Sequence, residues 1–246
     1  LEEFLSVKTT FKNLLEGVYI NNYNDINNAA ESLRNEWQLG VEPIYNCIEL
    51  LEDNHIKVIE VESDESFDGM QTWVNKTIPV IAINVSKVKS HDRKRFSALH
   101  ELAHLLLPIE HINPKSKEKF CHQFAAALLL PEQAAKMELG ITRSKLSIQE
   151  LGTLKQKYGI SIQAIVARAK DLNIISESYY KQFFFYINHM GWRTQEPYPY
   201  HGVEKSNRFN QLIHRAIAEE IISIEKAATL KNQSVNQFRE EMLKPI

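Results

Sequence analysis

Two histidines and a carboxylate carry the chemistry that stands out in this chain: His100-Glu101-x-x-His104, set inside the apolar run of residues 95–107. On a helix, residues i and i+4 lie one above the other on one face. His100 and His104 can therefore hold one metal ion together. Glu101 points about 100° away around the helix, beside the ion rather than on it. Two imidazole ligands and a neighbouring carboxylate are the parts of a zinc hydrolase, in which the carboxylate takes a proton from water and passes it to the leaving amine. The competing reading is a buried helix with two incidental histidines. The motif alone is short enough to arise by chance, and the helical context is what favours zinc.

A catalytic zinc takes three protein ligands and keeps one position open. Glu110, His111, Glu118 and His122 are the candidates for the third. A three-histidine pattern of the extended type needs Gly at 107 and His at 110, and the chain has Leu107 and Glu110, which excludes that class. Glu118 is favoured, because it begins a second apolar helix able to pack on the first and completes a two-His, one-Glu set. An acid at a helix start is also favoured by the dipole alone, which is the competing reading. His122, one turn on, is expected beside the metal as a supporting or oxyanion-contacting group, or else as a packing histidine. Tyr198 and Tyr200 are further guesses for an oxyanion donor.

The elements that must position these groups follow from periodicity and punctuation. Helices are expected over 28–39, ending at Gly40, and from Pro43 to about Asp53. The strands are 56–61 and 78–84, with Pro79 early or on an edge, and a turn or strand start falls at Phe67-Asp68-Gly69-Met70. After the motif helix, 108–117 reads as a polar connection, and the Ala/Leu-rich stretch from Glu118 reads as a buried helix stopped at Pro131. Ser147 with Glu150 forms a capping box, Gly159 ends that helix, and Ser161 caps the next. These two helices, 147–172, resemble a helix-turn-helix. A packing hairpin is the favoured reading, since Arg168 and Lys170 are the only basic residues of the second helix. Residues 178–190 form an aromatic helix. The loop 191–197 is expected as a plug around Trp192 with a local Arg193–Glu196 ion pair. One amphipathic helix is expected over 207–230 and another over 234–243. The fold class is α+β: a small sheet with the two site helices, then a mostly helical carboxy-terminal region. The expected divisions are 1–20 as a linker or docking arm, 21–140 as the metallopeptidase domain, and 141–246 as a helical domain containing the helix pair.

Composition narrows the partners. A net charge of -2 over 246 residues gives no global pull toward nucleic acid, so DNA binding by this chain is not expected. Two cysteines, Cys47 and Cys121, offer no disulfide framework and suit a reducing cytoplasm. No apolar run approaches the ~20 residues of a membrane span. The chain opens on Leu1 rather than Met, from which we expect a fragment of a longer protein.

With these residues in view, the sequence resembles the ImmA/IrrE-type metallopeptidases. The resemblance lies in Phe96-Ser97-Ala98-Leu99-His100-Glu101-Leu102-Ala103-His104-Leu105-Leu106 and in the Glu118 helix ending Phe124-Ala125-Ala126-Ala127-Leu128-Leu129-Leu130-Pro131. It extends to Phe67-Asp68-Gly69, Arg168-Ala169-x-x-Leu172 and Gly191-Trp192-Arg193-x-x-Glu196-Pro197. It implies a zincin-like fold, a Zn2+ cofactor held by His100, His104 and Glu118, and Glu101 as general base. Many members have Asn where this chain has His122. Members with this long carboxy-terminal half often carry an amino-terminal helix-turn-helix domain, absent from this chain. The implied activity is cleavage of one protein partner, a repressor or antitoxin of the helix-turn-helix type, releasing repressed genes. The alternative is a regulatory or antitoxin-like protein whose zinc site is latent or sensory and which acts by binding a partner or DNA.

Overall fold

A computed structural model describes residues 1–7, 10–64 and 66–243. Its elements run α1 (Tyr23–Glu36), α2 (Cys47–Asp53), β1 (Lys57–Val61), β2 (Gly69–Val74), β3 (Ile78–Asn84), α3 (His91–Leu106), α4 (Pro114–Leu129), α5 (Glu132–Leu139), α6 (Ile148–Tyr158), α7 (Ile162–Asp171), α8 (Glu177–His189), α9 (Arg208–Ala218), α10 (Ile224–Leu230) and α11 (Val235–Leu243). Packing divides the chain into two units, Phe11–Lys205 and the pair of segments Leu1–Thr10 and Ser206–Ile246.

In the larger unit the sheet order is β1-β3-β2, with β1 parallel and β2 antiparallel to β3. β3 is central, and its pairing with β1 begins at Val80, so Pro79 sits ahead of that ladder and withholds no hydrogen bond from it. Ile81 and Ile83 are fully buried, and α3 packs against β2 and β3. α4 lies along α3 and also against α1. Leu99, Leu102, Phe124, Leu128 and Leu33 share one apolar core, which fixes the rotation of the two site helices. Among the described residues no helix is long and apolar enough to cross a membrane. Cys47 and Cys121 are buried and free.

Several expected boundaries move, each for a local reason. α1 starts at Tyr23 rather than 28, because Asn22 and Asp25 form a capping box. α4 starts at Pro114 within the expected connection, since proline suits the first helical turn and the Asn113 side chain accepts from Ser116 N. Pro131, read as a stop, is also the N-cap position of α5, an unanticipated helix. The expected single helix over 207–230 is two: Glu220 adopts a left-handed φ of 58°, and the Ser223 side chain starts α10 by accepting from Lys226 N. α9, α10 and α11 of the smaller unit close around Ile213, Ala227, Ala228 and Phe238.

The expected domain limits do not coincide with breaks in packing. Residues 1–20 are not one arm, because Leu1–Thr10 belongs to the smaller unit while Leu15 and Ile20 are core residues of the larger. Nor does packing break between 140 and 141. Leu151, Leu154, Ile165, Val166, Phe183 and Ile187 join the same core as Leu99 and Phe124. Packing divides the chain at 205/206 instead. In the helix pair, Arg168 of α7 is buried. It donates to Leu130 O (3.0 Å), to Asn27 Oδ1 and to the Tyr23 hydroxyl, so this cation is spent inside the domain.

The segment after α8 straps the unit together with two buried carboxylates. Glu196 does not pair with Arg193. It sits at the start of α7, accepting from Ile162 N (2.7 Å) and Gln163 N (3.0 Å), and it pairs with Lys155 Nζ at 3.0 Å. Exposed backbone N–H groups and the helix dipole make that a better place for a carboxylate than an exposed guanidinium. Lys155 also meets Asp92 in the first turn of α3 (3.1 Å). Glu204 in turn accepts from Cys47 N (2.8 Å) and Ile48 N (3.3 Å) at the start of α2 and pairs with Arg95 of α3 at 3.3 Å. Arg95 donates further to Ile44 O and to the Tyr200 hydroxyl. Its guanidinium lies over Gly159, where any Cβ would collide with Arg95 Nη1. That space, together with a φ of +60°, accounts for glycine at the end of α6. Thus α3 is anchored at Asp92 and Arg95, within its first turns and ahead of His100.

Candidate metal centre

Helical spacing stacks His100 and His104 on the side of α3 that faces α4, and α4 brings Glu118 to meet them. His100 Nε2 and His104 Nε2 are 3.2 Å apart. Glu118 Oε2 lies 3.2 Å from the first and Glu118 Oε1 3.3 Å from the second. Three donors of this kind within 4.8 Å of one another form a His-His-Glu site able to hold a metal ion. The donor chemistry fits. Burial, reinforced by the neighbouring imidazoles, holds His100 well below the usual histidine range, and burial also pushes His104 down, so both present neutral, lone-pair-bearing nitrogens. The two imidazoles are 12% exposed and the Glu118 side chain 56%, so the donor cluster is open on the α4 side. One feature departs from the usual pattern: among the described residues, the buried His100 Nδ1 has no hydrogen-bond partner to orient the ring.

Glu101 is buried beside this cluster. Burial first, and the Glu118 charge second, push its carboxyl up to about 7. It faces the first residue of β2. A Cβ on Gly69 would lie 3.0 Å from Glu101 Cγ and 3.3 Å from Oε1. The cleft in front measures about 260 Å³ and is lined by Phe67, Asp68, Gly69, Phe96, Glu101 and both His100 and His122. Asp68 is itself held by Arg93 Nε at 2.9 Å.

The remaining candidates separate cleanly. Glu110 and His111 lie outside the cluster; His111 stacks on Tyr19. The His122 ring is 4.4 Å from that of His100, outside the three-donor set but against it, and its Nδ1–H donates to Glu118 O at 2.7 Å. Tyr198 and Tyr200 do not reach the cleft, contrary to the guess that one is an oxyanion donor. Tyr198 packs over Gly152, and the Tyr200 hydroxyl is engaged by Arg95. Gly69 is the position against Glu101 that residue spacing passed over. Its signal was the Phe67-Asp68-Gly69 turn, whose relation to Glu101 needs the strand pairing to become visible.

A small mixed sheet under a His-Glu-x-x-His helix, with a second helix supplying the third donor, defines an α+β zincin-like domain of metallopeptidase type. Residues 52–170 match the family model of the IrrE N-terminal-like domain, Peptidase_M78, in agreement with the resemblance to the ImmA/IrrE-type metallopeptidases. The match runs through α3, α4 and most of α7, across the expected 140/141 limit. No curated protein matches the chain.

Proposed function

We propose that this chain is a zinc-dependent endopeptidase that cuts one regulatory protein, a repressor or antitoxin of the helix-turn-helix type, and so relieves transcriptional repression. The observation that carries the reading is the convergence of His100, His104 and Glu118 beside a carboxyl held near neutrality. His100, His104 and Glu118 would hold the ion, a His₂Glu set used by peptidases. Zinc held there supplies Lewis acidity, which polarises a peptide carbonyl and acidifies water. Glu101 takes the proton of the attacking water and returns it to the departing amine nitrogen, and a pKa near the working pH serves both transfers. His122, with Nδ1 committed to Glu118 O, lines the cleft beside His100. The regulatory substrate is supported by the match of residues 52–170 to the IrrE N-terminal-like domain and by the resemblance of the motifs.

The test is incubation of the zinc-loaded chain with helix-turn-helix repressors and antitoxins of the same genome, any encoded next to it first, followed by mass measurement. Two fragments whose masses sum to the substrate plus one water are expected. Cutting should cease with a chelator and return with zinc. An intact substrate in the presence of bound zinc overturns the reading.

Gly69 gives a sharper prediction. Gly69→Ala sets a methyl against the Glu101 side chain without requiring an unusual backbone angle. Displacement of the base is expected to lower kcat by about 10–100-fold, with stability changed by less than about 1 kcal/mol. Steady-state cleavage and thermal melting of the same preparation check both parts.

A further inference from the structure

A second cavity, of about 380 Å³, lies on the α4 side of the cleft and has no part in the chemistry above. Phe96, Ala126, Ala164, Ala167 and Tyr180 form its apolar walls, and His122 stands at its rim. We propose that it is the side-chain subsite for a substrate residue adjoining the scissile bond, and that it selects a bulky uncharged side chain such as Phe, Tyr, Leu or Met. The proposal rests on the peptidase reading.

Three observations carry it. The first is continuity: Phe96 and His122 line both the metal cleft and this cavity. The His122 ring is 4.4 Å from the His100 ring and 5.9 Å from the Phe96 ring. Successive Cα atoms of a peptide are about 3.8 Å apart, so a residue next to a carbonyl at the donor cluster reaches over that rim. The second is size. The cavity falls within the ~300–1,000 Å³ of side-chain and ligand pockets, and it exists because α7 presents alanines, half-buried, at 164 and 167. The third is charge. The ionic groups Lys170 and Asp171 that line it already hold one another: Asp171 Oδ1 meets Lys170 Nζ at 2.5 Å, and Asp171 Oδ2 accepts from Gln123 Nε2 at 2.8 Å. Arg168 is turned inward to Leu130, Asn27 and Tyr23. Lys119 is exposed at the mouth, where water solvates it. An entering charge would lose its hydration and meet no free charged partner, only the uncharged, unpartnered Gln123 Oε1, whereas an apolar side chain gains from the rings and methyl groups.

The experiment starts from the substrate protein whose cut site has been located by mass. The two residues flanking the cut are changed, one at a time, to Phe, Ala and Asp, and kcat/KM is measured with the zinc-loaded wild type and with Ala164→Leu and Ala167→Leu. At one of the two positions, Phe is expected to exceed Ala and Asp by about tenfold or more. In the Leu variants, checked for zinc content and circular dichroism, the Phe-over-Ala ratio should fall by about tenfold or invert. Equal rates at both positions overturn the subsite, as does a wild-type ratio in both folded variants, and either result leaves the peptidase reading standing. A substrate never cut by the zinc-loaded chain defeats that reading and the subsite with it.

Discussion

Glu101→Gln is expected to keep zinc and lose turnover. The amide has the size of the carboxylate but cannot accept the proton of the attacking water, and removal of a positioned base typically costs about 10²–10⁴-fold in rate. Zinc affinity, read by competition with a chromophoric chelator, should stay within about tenfold of wild type, because His100, His104 and Glu118 are untouched. A zinc-replete variant that cuts at the wild-type rate would assign the base elsewhere. The same substitution should act on stability in the opposite sense when no metal is bound. The Glu101 carboxyl rises from 4.5 to about 7 on folding. The folded state therefore binds its proton more tightly than the unfolded chain. That contribution is fully present below about pH 4.5 and is lost as pH rises through about 7. At pH 8 the metal-free wild type must hold an ionised carboxylate in a buried place, and the glutamine variant need not. Metal-free Glu101→Gln is expected to be more stable at pH 8 by on the order of 1–2 kcal/mol after allowing for solvent screening, with the difference vanishing near pH 4. Melting curves at the two pH values check it.

Arg95→Leu is expected to have the largest effect on folding. Both side chains of the Arg95–Glu204 pair are fully buried, and burial pushes the Glu204 carboxyl upward while Arg95 pulls it down. Removing the guanidinium strands that carboxylate and also frees the Ile44 carbonyl and the Tyr200 hydroxyl. A buried pair broken on one side loses about 3–5 kcal/mol. Urea midpoints should show this loss for Arg95→Leu. The double variant Arg95→Leu/Glu204→Gln should recover part of it, because no uncompensated charge is then left. A single variant within about 1 kcal/mol of wild type would contradict the account.

What could be read from the sequence shares a physical character: it is local. His100 and His104 are one helical turn apart, Glu118 lies one turn into the next helix, and the Ser147–Glu150 box, the Gly159 stop and the Ser161 cap each act within four residues. What escaped depends on partners far along the chain. Glu196 meets the start of α7 from 34 residues away and Glu204 the start of α2 from 157. A nearby arginine was the only visible partner for Glu196, and an aromatic near the end of a domain gave no sign that Arg95 would take its hydroxyl. Apolar periodicity continues through 219–223, where the chain breaks α9 from α10, so the pattern marks the buried face but not the kink. The 140/141 limit followed a change from mixed to helical composition, and composition says nothing about whether two segments share a core.

The strap formed by Glu196 and Glu204 bears on the order in which the larger unit can be assembled. During synthesis α2 and α3 emerge early, yet the carboxylate that completes the start of α2 and neutralises Arg95 arrives 109 residues after that arginine. Until then α3 carries a guanidinium with no acidic partner at depth, and Lys155 lacks one of its two carboxylates. The helix bearing His100, Glu101 and His104 therefore reaches its final seat only when nearly the whole unit has been made. A chain trimmed to the matched residues, 52–170, would lack α1, the start of α2 and the strap, and it would retain His100, His104 and Glu118 without those supports. An unfinished chain thus lacks the contacts that seat the site helix in the complete unit.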